Sequence, residues 1–277
     1  MLIPIRRNPS RALIFIVLCV LGASTVYPLL FMALNSFRTN TAYQINPYGL
    51  PSRLNFTNFS NLLSSYPFAA SLVHSVIVVG PTVIIATLFS ALAGFVFAKT
   101  PFRYSGALFY LLLSVMLMPG VVLIIPLYVL VAHVGMANSF APAILIYSAI
   151  NIPFGTYLLR ANFRNVPDGL IEAARMDGAG WLRVFWSIVL PIGRAAVLTV
   201  GILTFLNTWN ELFISIVLLH TPGTEMVTPT ITEISGRYTT NTPVLLAGLL
   251  LAALPTLLVY SVSARAFVRG LLSGSLR

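Results

Sequence analysis

The sequence predicts an all-α, polytopic membrane protein with six transmembrane helices, and three observations predict it. Of 277 residues, 58% are hydrophobic and 8% charged, with a mean hydropathy of +0.92, whereas a soluble domain carries roughly 25% charged residues. Six mostly apolar runs, uncharged but for Arg194 and Glu211 in the fifth, approach or exceed the about 20 residues that a helix needs to cross roughly 30 Å of hydrocarbon. The basic residues, finally, gather on one side of those runs. The net charge of +10 is almost all arginine, which in such a chain marks cytoplasmic loops and contact with anionic lipid. Six acidic residues and one lysine, Lys99, are too few for an acidic tail, a nucleic-acid surface or a disordered polyampholyte. The single cysteine, Cys19, excludes an internal disulfide and leaves thiol or zinc chemistry without partners.

The first run, Ala12 to Leu34, follows Arg6, Arg7 and Arg11. A signal-peptide core is about 7 to 15 residues, so this longer run reads as a retained anchor. The stretch from Asn35 to Pro67 is polar, rich in Asn, Ser, Tyr and Pro, and too short for its own core; it is expected to lie flat or pack on a partner. The second run, Phe68 to Ala98, ends at a short turn, Lys99 to Arg103. The third and fourth are Ala107 to Val131 and Ala141 to Leu159. Arg160 to Leu190 then forms a long loop with four basic residues, a fifth, Arg194, close behind it, and half of the acidic ones. After the fifth run, Pro191 to Leu219, the segment His220 to Pro243 carries Glu225, Glu233 and Arg237 and reads as an ordered excursion. Val244 to Ala264 is the sixth.

With the N-terminus in the cytoplasm, thirteen basic residues fall inside and only Arg38, Arg53 and Arg237 outside. The positive-inside bias therefore places both termini in the cytoplasm, and residues 1–277 are expected to form a single transmembrane domain.

Within the long loop, Pro167 suits a first helical turn, where its missing N–H is harmless, and Asn165 is the expected N-cap, with Asp168 and Glu172 toward the positive end of the dipole. Gly178 or Gly180 then ends this helix, because glycine takes the left-handed conformation at little cost. Trp181, Val184, Phe185, Ile188 and Val189 make the apolar stripe of a second helix, and Pro191 marks the expected break before the fifth run.

Glu172-Ala173-Ala174, Gly178, Ile188 and Leu190-Pro191 match in residue and spacing the EAA motif, and the loop therefore resembles that of the permease subunits of bacterial ABC importers. Seven fixed positions at roughly 5 to 10% each put a chance match on the order of 10⁻⁵ or less. The maltose-transporter branch resembles more of the chain: Met176-Asp177-Gly178-Ala179 in the loop, Ile125-Pro126-Leu127-Tyr128 in the third run, Trp209-Asn210-Glu211 in the fifth, and the tail Arg265 to Leu271.

The resemblance implies that Pro167 to Asp177 is a coupling helix seated on a separate ATPase subunit, with Ala173 and Ala174 keeping one face slim, Glu172 offering an anionic contact, and Asp177 and Gly178 completing the motif. It also implies a second, non-identical permease, two ATPase subunits holding ATP and Mg, an extracytoplasmic solute-binding protein, membrane lipid around the chain, and no nucleic acid. The expected cargo is an oligosaccharide or related carbohydrate, with a sugar phosphate of the glycerol-phosphate type, or another polar solute, as the alternative. No cofactor, metal site or catalytic residue is expected in this chain. Lys99-Thr100 is not a phosphate-binding loop, since Ala93 and Ala98 stand where its glycines should be.

In the fifth run, Thr204, Asn207, Thr208 and Glu211 recur at one helical face. Such groups are costly in a span unless they meet protein or a water-filled path, and solute-path lining and helix-helix contact both satisfy them. Asn151, His74 and the tyrosines are lesser candidates, His74 as a packed, hydrogen-bonded residue. A secondary transporter, the rival class, is expected to carry several intramembrane acids and repeats, whereas Glu211 is the one acid within a run. A membrane enzyme lacks any matching motif.

Overall fold

The structure, a computed structural model, describes residues 9–221, 223–236 and 241–272, with side chains from 12 and up to 263. The expected placements of Arg6, Arg7, Arg237 and Arg277 lie outside the described residues, as do the side chains of Arg11, Arg265 and Arg269. Among the described residues all regular structure is helical. Two compact units are present, one comprising residues up to Phe68 with Ile231–Ala253, the other Ala69–Thr230 with Leu254 onward.

In the first unit, α1 (Pro9–Ser36) leads to α2 (Asn40–Ile45) and α3 (Thr57–Ser65). No residue in the most apolar window of α1 is buried, so its apolar surface needs lipid or a partner chain rather than an internal core. The stretch after α1 is ordered by buried polar groups. Arg38, 6% exposed, donates to Asn35 Oδ1 (2.9 Å) and to the carbonyls of Ala42 and Pro47. Asn58 donates to the carbonyls of Ser36 and Arg38, each at 2.7 Å. The excursion expected after the fifth run contains α13 (Val227–Gly236) before α14 (Thr242–Leu272).

The second unit is built on α4 (Phe68–Lys99) and α7 (Phe140–Phe163). At 1.5 Å per residue, 32 residues of α4 reach about 48 Å, beyond the roughly 30 Å hydrocarbon layer. α4 and α7 approach closely: a Cβ on Gly94 would meet Leu159, and one on Gly155 would meet both Ser90 and Val200. Ser90 Oγ donates to the Ile152 carbonyl across this contact (3.2 Å). The core joins Ala91 and Phe95 of α4, Leu159 and Phe163 of α7, and Val184, Phe185, Val189 and Val200 downstream.

The structure corrects two expected spans. The third is not one continuous helix: α5 (Ser105–Ser114) and its 3-10 extension to Leu117 meet α6 (Gly120–His133) at a 96° bend. Pro119, without an N–H, stands at that break. The helical stretch expected from Trp181 joins the fifth run through a bend, and that run is itself interrupted before Leu219. α9 (Trp181–Val184), a π-helical turn (Phe185–Val189) and α10 (Leu190–Ile192) meet α11 (Arg194–Trp209) at 82°. The break is at Gly193 rather than Pro191, because Pro191 lies in the first turn of α10, where proline is tolerated. A Cβ at Gly193 would strike the Phe163 ring. Residues 210–212 then separate α11 from α12 (Phe213–Leu218). Four unbroken helices are long and apolar enough to span a membrane, or six if each bent pair counts as one span.

Candidate functional site

Between α7 and α11 the chain folds α8 (Asp168–Met176). Only Ile171 of this helix is buried, and Ala174 is partly buried against the same core. The other face is open: Glu172, Ala173 and Asp177 are exposed, Leu170 is 48% and Met176 88% exposed. The expected pairing of Ala173 with Ala174 on one slim face is corrected, because adjacent residues stand about 100° apart on a helix; Ala174 turns inward and Ala173 outward. Gly178 ends the helix at φ +82°. Ala179 N–H donates to the Ala174 carbonyl (2.9 Å) and Gly178 N–H to that of Arg175 (3.1 Å), the paired closure that a left-handed residue makes possible.

The expected cap at Asn165 is also corrected. Pro167 holds the N-cap position, without a side-chain cap bond, and Asn165 lies two residues too early, its amide turned back to the Ala161 carbonyl of α7 (3.5 Å). What secures the start of α8 comes from α4: Lys99 Nζ donates to the Val166 carbonyl (2.6 Å), the Arg164 carbonyl (3.2 Å) and Asp168 Oδ1 (2.6 Å). Arg175 lies over the Trp181 ring at 4.5 Å, and Arg160 over Phe109 at 3.8 Å. These basic groups, with Asp168 and Glu172, border a hollow of about 870 Å³ beside α8.

A second polar group collects where α11 ends. Glu211 lies past the last residue of α11, so the regular stripe predicted through Thr204, Asn207, Thr208 and Glu211 stops short of it. Its carboxylate accepts from Ile214 N–H (3.0 Å) and Ser215 N–H (3.2 Å) in the first turn of α12 and from Tyr147 O–H (2.8 Å) of α7. Asn207 Nδ2 donates to Asn151 Oδ1 (3.0 Å), and Asn151 Nδ2 donates to the Tyr147 carbonyl (2.8 Å) and makes a longer contact with Thr208 Oγ1 (3.5 Å). Asn207, Thr208, Glu211, Asn151 and Tyr147 border a hollow of about 180 Å³. Thr204 is outside it and 3% exposed; Thr208 is fully buried, and Asn207 is the exposed member of the set. Tyr147 was among the tyrosines that the sequence offers only as lesser candidates, although an aromatic hydroxyl four residues before Asn151 marks the same helical face. His74 is half-buried, its Nδ1 3.1 Å from the Glu225 carbonyl and its ring against Phe140. Among the described residues, no group of three or more His, Cys, Asp or Glu side chains is placed to hold a metal.

A family model described as binding-protein-dependent transport system inner membrane component matches residues 86–273, which include α8 and both hollows. The chain belongs to this family. The permease is 30% identical to a putative ABC transporter permease protein, ORF2, of Caldicellulosiruptor sp. (strain Rt8B.4), over 95% of its own length and 96% of the relative's. It is 27% identical to the melibiose/raffinose/stachyose import permease protein MelC of Bacillus subtilis (strain 168), over 98% of both chains. Its fold matches a chain of a bacterial ABC transporter involved in import of the acidic polysaccharide alginate, with a TM-score of 0.82, 19% identity, and coverage of 96% of this chain and all of the other. The permease is thus a membrane component of an ABC import system, a transport subunit rather than the ATP-hydrolysing one.

Proposed function

We propose that this permease carries a neutral oligosaccharide inward and is driven through α8 by a separate ATPase subunit that holds ATP and Mg. The exposed face of α8 is the observation that carries the coupling role: Leu170, Ala173 and Met176 make a small apolar strip beside Glu172 and Asp177, and exposed apolar surface bordered by charge fits a protein partner. The carbohydrate cargo is supported by the near full-length likeness to MelC, whose name gives its own cargo as melibiose, raffinose and stachyose. A second, non-identical permease, two ATPase subunits and an extracytoplasmic binding protein complete the complex. The whole chain acts as one transmembrane domain of six spans, each bent pair counting once, with both termini in the cytoplasm. Tags near Gly49 and Thr228 should then be reached only from outside the membrane, and one near Gly180 only from inside; labelling of the Gly180 tag in intact cells would reverse the orientation.

The hollow at Asn151, Asn207 and Glu211 is the proposed solute path. At about 180 Å³ it is smaller than the roughly 300 Å³ or more of a ligand pocket, so one chain supplies one wall and the second permease the other. Neutral amides exchange hydrogen bonds with sugar hydroxyls without trapping a charge. In a Cys19→Ser background, cysteine at Asn207 is expected to react with a small water-soluble thiol reagent and to change rate when ATP is added. Cysteine at Thr204, buried in the same helix, should stay inert. Inertness at 207 in every nucleotide state would remove this path.

A further inference from the structure

Lys99 is the chain's one lysine and the last residue of α4, and its side chain is only 5% exposed. An ammonium so placed is costly unless its hydrogens find acceptors and its charge a counter-charge. Its three donors match three acceptors: the Arg164 and Val166 carbonyls and Asp168 Oδ1. These acceptors succeed one another along the elbow between α7 and α8. Pro167 offers no N–H and Asn165 has turned back toward α7, so no side chain of the elbow itself caps α8. The bond to Asp168 is the one ion pair within 4 Å among the described residues.

Both ends of this link are firmly seated. Phe95, one turn before Lys99, is 3% exposed in the core that also receives Val166 and Ile171, and its ring lies 5.5 Å from Phe185 and 6.1 Å from Trp181. Apolar packing holds α8 against the core without fixing a direction. The ammonium adds three directional bonds aimed at the start of α8. A compact ammonium on a flexible stem can serve three divergent acceptors, whereas a planar guanidinium suits acceptors that lie in its plane.

We propose that Lys99 is a positioning residue for energy coupling, pinning the start of α8 to the end of α4 so that a docked ATPase subunit moving α8 also moves α4. The proposal rests on the reading of α8 as the docking helix. It assigns α4 as a lever, which needs a rigid connection at Lys99 and not merely proximity.

Hydrogen-deuterium exchange on the complex purified with its ATPase subunits, nucleotide-free against ADP-vanadate-trapped, tests this without knowledge of the solute. In the parent protein, trapping should change amide exchange both over residues 168–176 and at the end of α4, over residues 95–100. In Lys99→Met, which keeps the apolar stem, the change over 168–176 should persist while that at 95–100 falls roughly tenfold. Asp168→Asn, at a side chain 76% exposed, should show a smaller fall, and Lys99→Arg a partial recovery. Trapping-dependent changes of parent size at 95–100 in Lys99→Met would overturn the pin, as would a Lys99→Met that merely loses both changes together while Asp168→Asn behaves as the parent. Should Lys99→Met fail to assemble, a parent-like Asp168→Asn overturns it alone. Glu172→Lys in the same preparation separates the underlying reading: retention of the ATPase subunit there refutes docking on α8, whatever the exchange at 95–100.

Discussion

Glu172→Lys is expected to leave the permease inserted and folded while releasing most of the ATPase subunit from the purified complex and abolishing measurable uptake. Glu172 is exposed and makes no ion pair among the described residues, so a neutral change there costs folding about half a kcal/mol at most. Reversing its charge at a docked contact costs several kcal/mol, a loss of roughly a hundredfold or more in affinity. Gly178→Asp should have a related effect by another route. A non-glycine residue at φ +82° strains the backbone by about 1–2 kcal/mol, and the reversal after α8 also depends on the two closing bonds to Ala174 and Arg175. Quantifying the ATPase subunit retained by each variant, alongside uptake, checks both; normal retention by Glu172→Lys would by itself contradict the assignment of α8.

The second large effect is expected at Glu211. Truncation to alanine leaves the Ile214 and Ser215 amides and the Tyr147 hydroxyl without their acceptor. Each unsatisfied buried donor costs about 1–3 kcal/mol, and the carboxylate's favourable position at the start of α12 is lost as well. Glu211→Ala should therefore lower the thermal midpoint of the purified permease and speed amide exchange at Ile214 and Ser215. Glu211→Gln, which keeps one acceptor oxygen, should recover about half of the stability. Equal stability of Glu211→Ala and the parent would show that the carboxylate does not hold α12.

How legible these features were depends on how local they are. Gly178 was readable because the end of a helix is decided by one residue's conformational freedom, and the glycine stands where α8 must reverse. The unbroken helices α1, α4, α7 and α14, long and apolar enough to span a membrane, were readable because hydropathy over about 20 residues is itself local. The bends of 96° and 82° were not, since hydropathy counts apolar residues without recording direction; Pro119 and Gly193 were visible as letters but not as turns. Lys99 read only as the start of a short turn because its three acceptors lie 65, 67 and 69 residues away. Glu211 was conspicuous as an acid in an apolar run, yet its task as acceptor for α12 depended on α11 ending at Trp209. Asn165 and Ala174 were misplaced for opposite reasons: one cap was supplied from a distant helix, and one small residue was needed by the core.

Uptake by the purified complex is the most direct test. The permease, its co-purified second permease and ATPase subunits, and their binding protein would be reconstituted in liposomes. Radiolabelled raffinose, stachyose and glycerol 3-phosphate would then be offered in turn. Accumulation of an oligosaccharide that requires both ATP and the binding protein, and that disappears with Glu172→Lys, is the predicted result. Accumulation of glycerol phosphate alone, or uptake driven by an ion gradient without ATP, would contradict it.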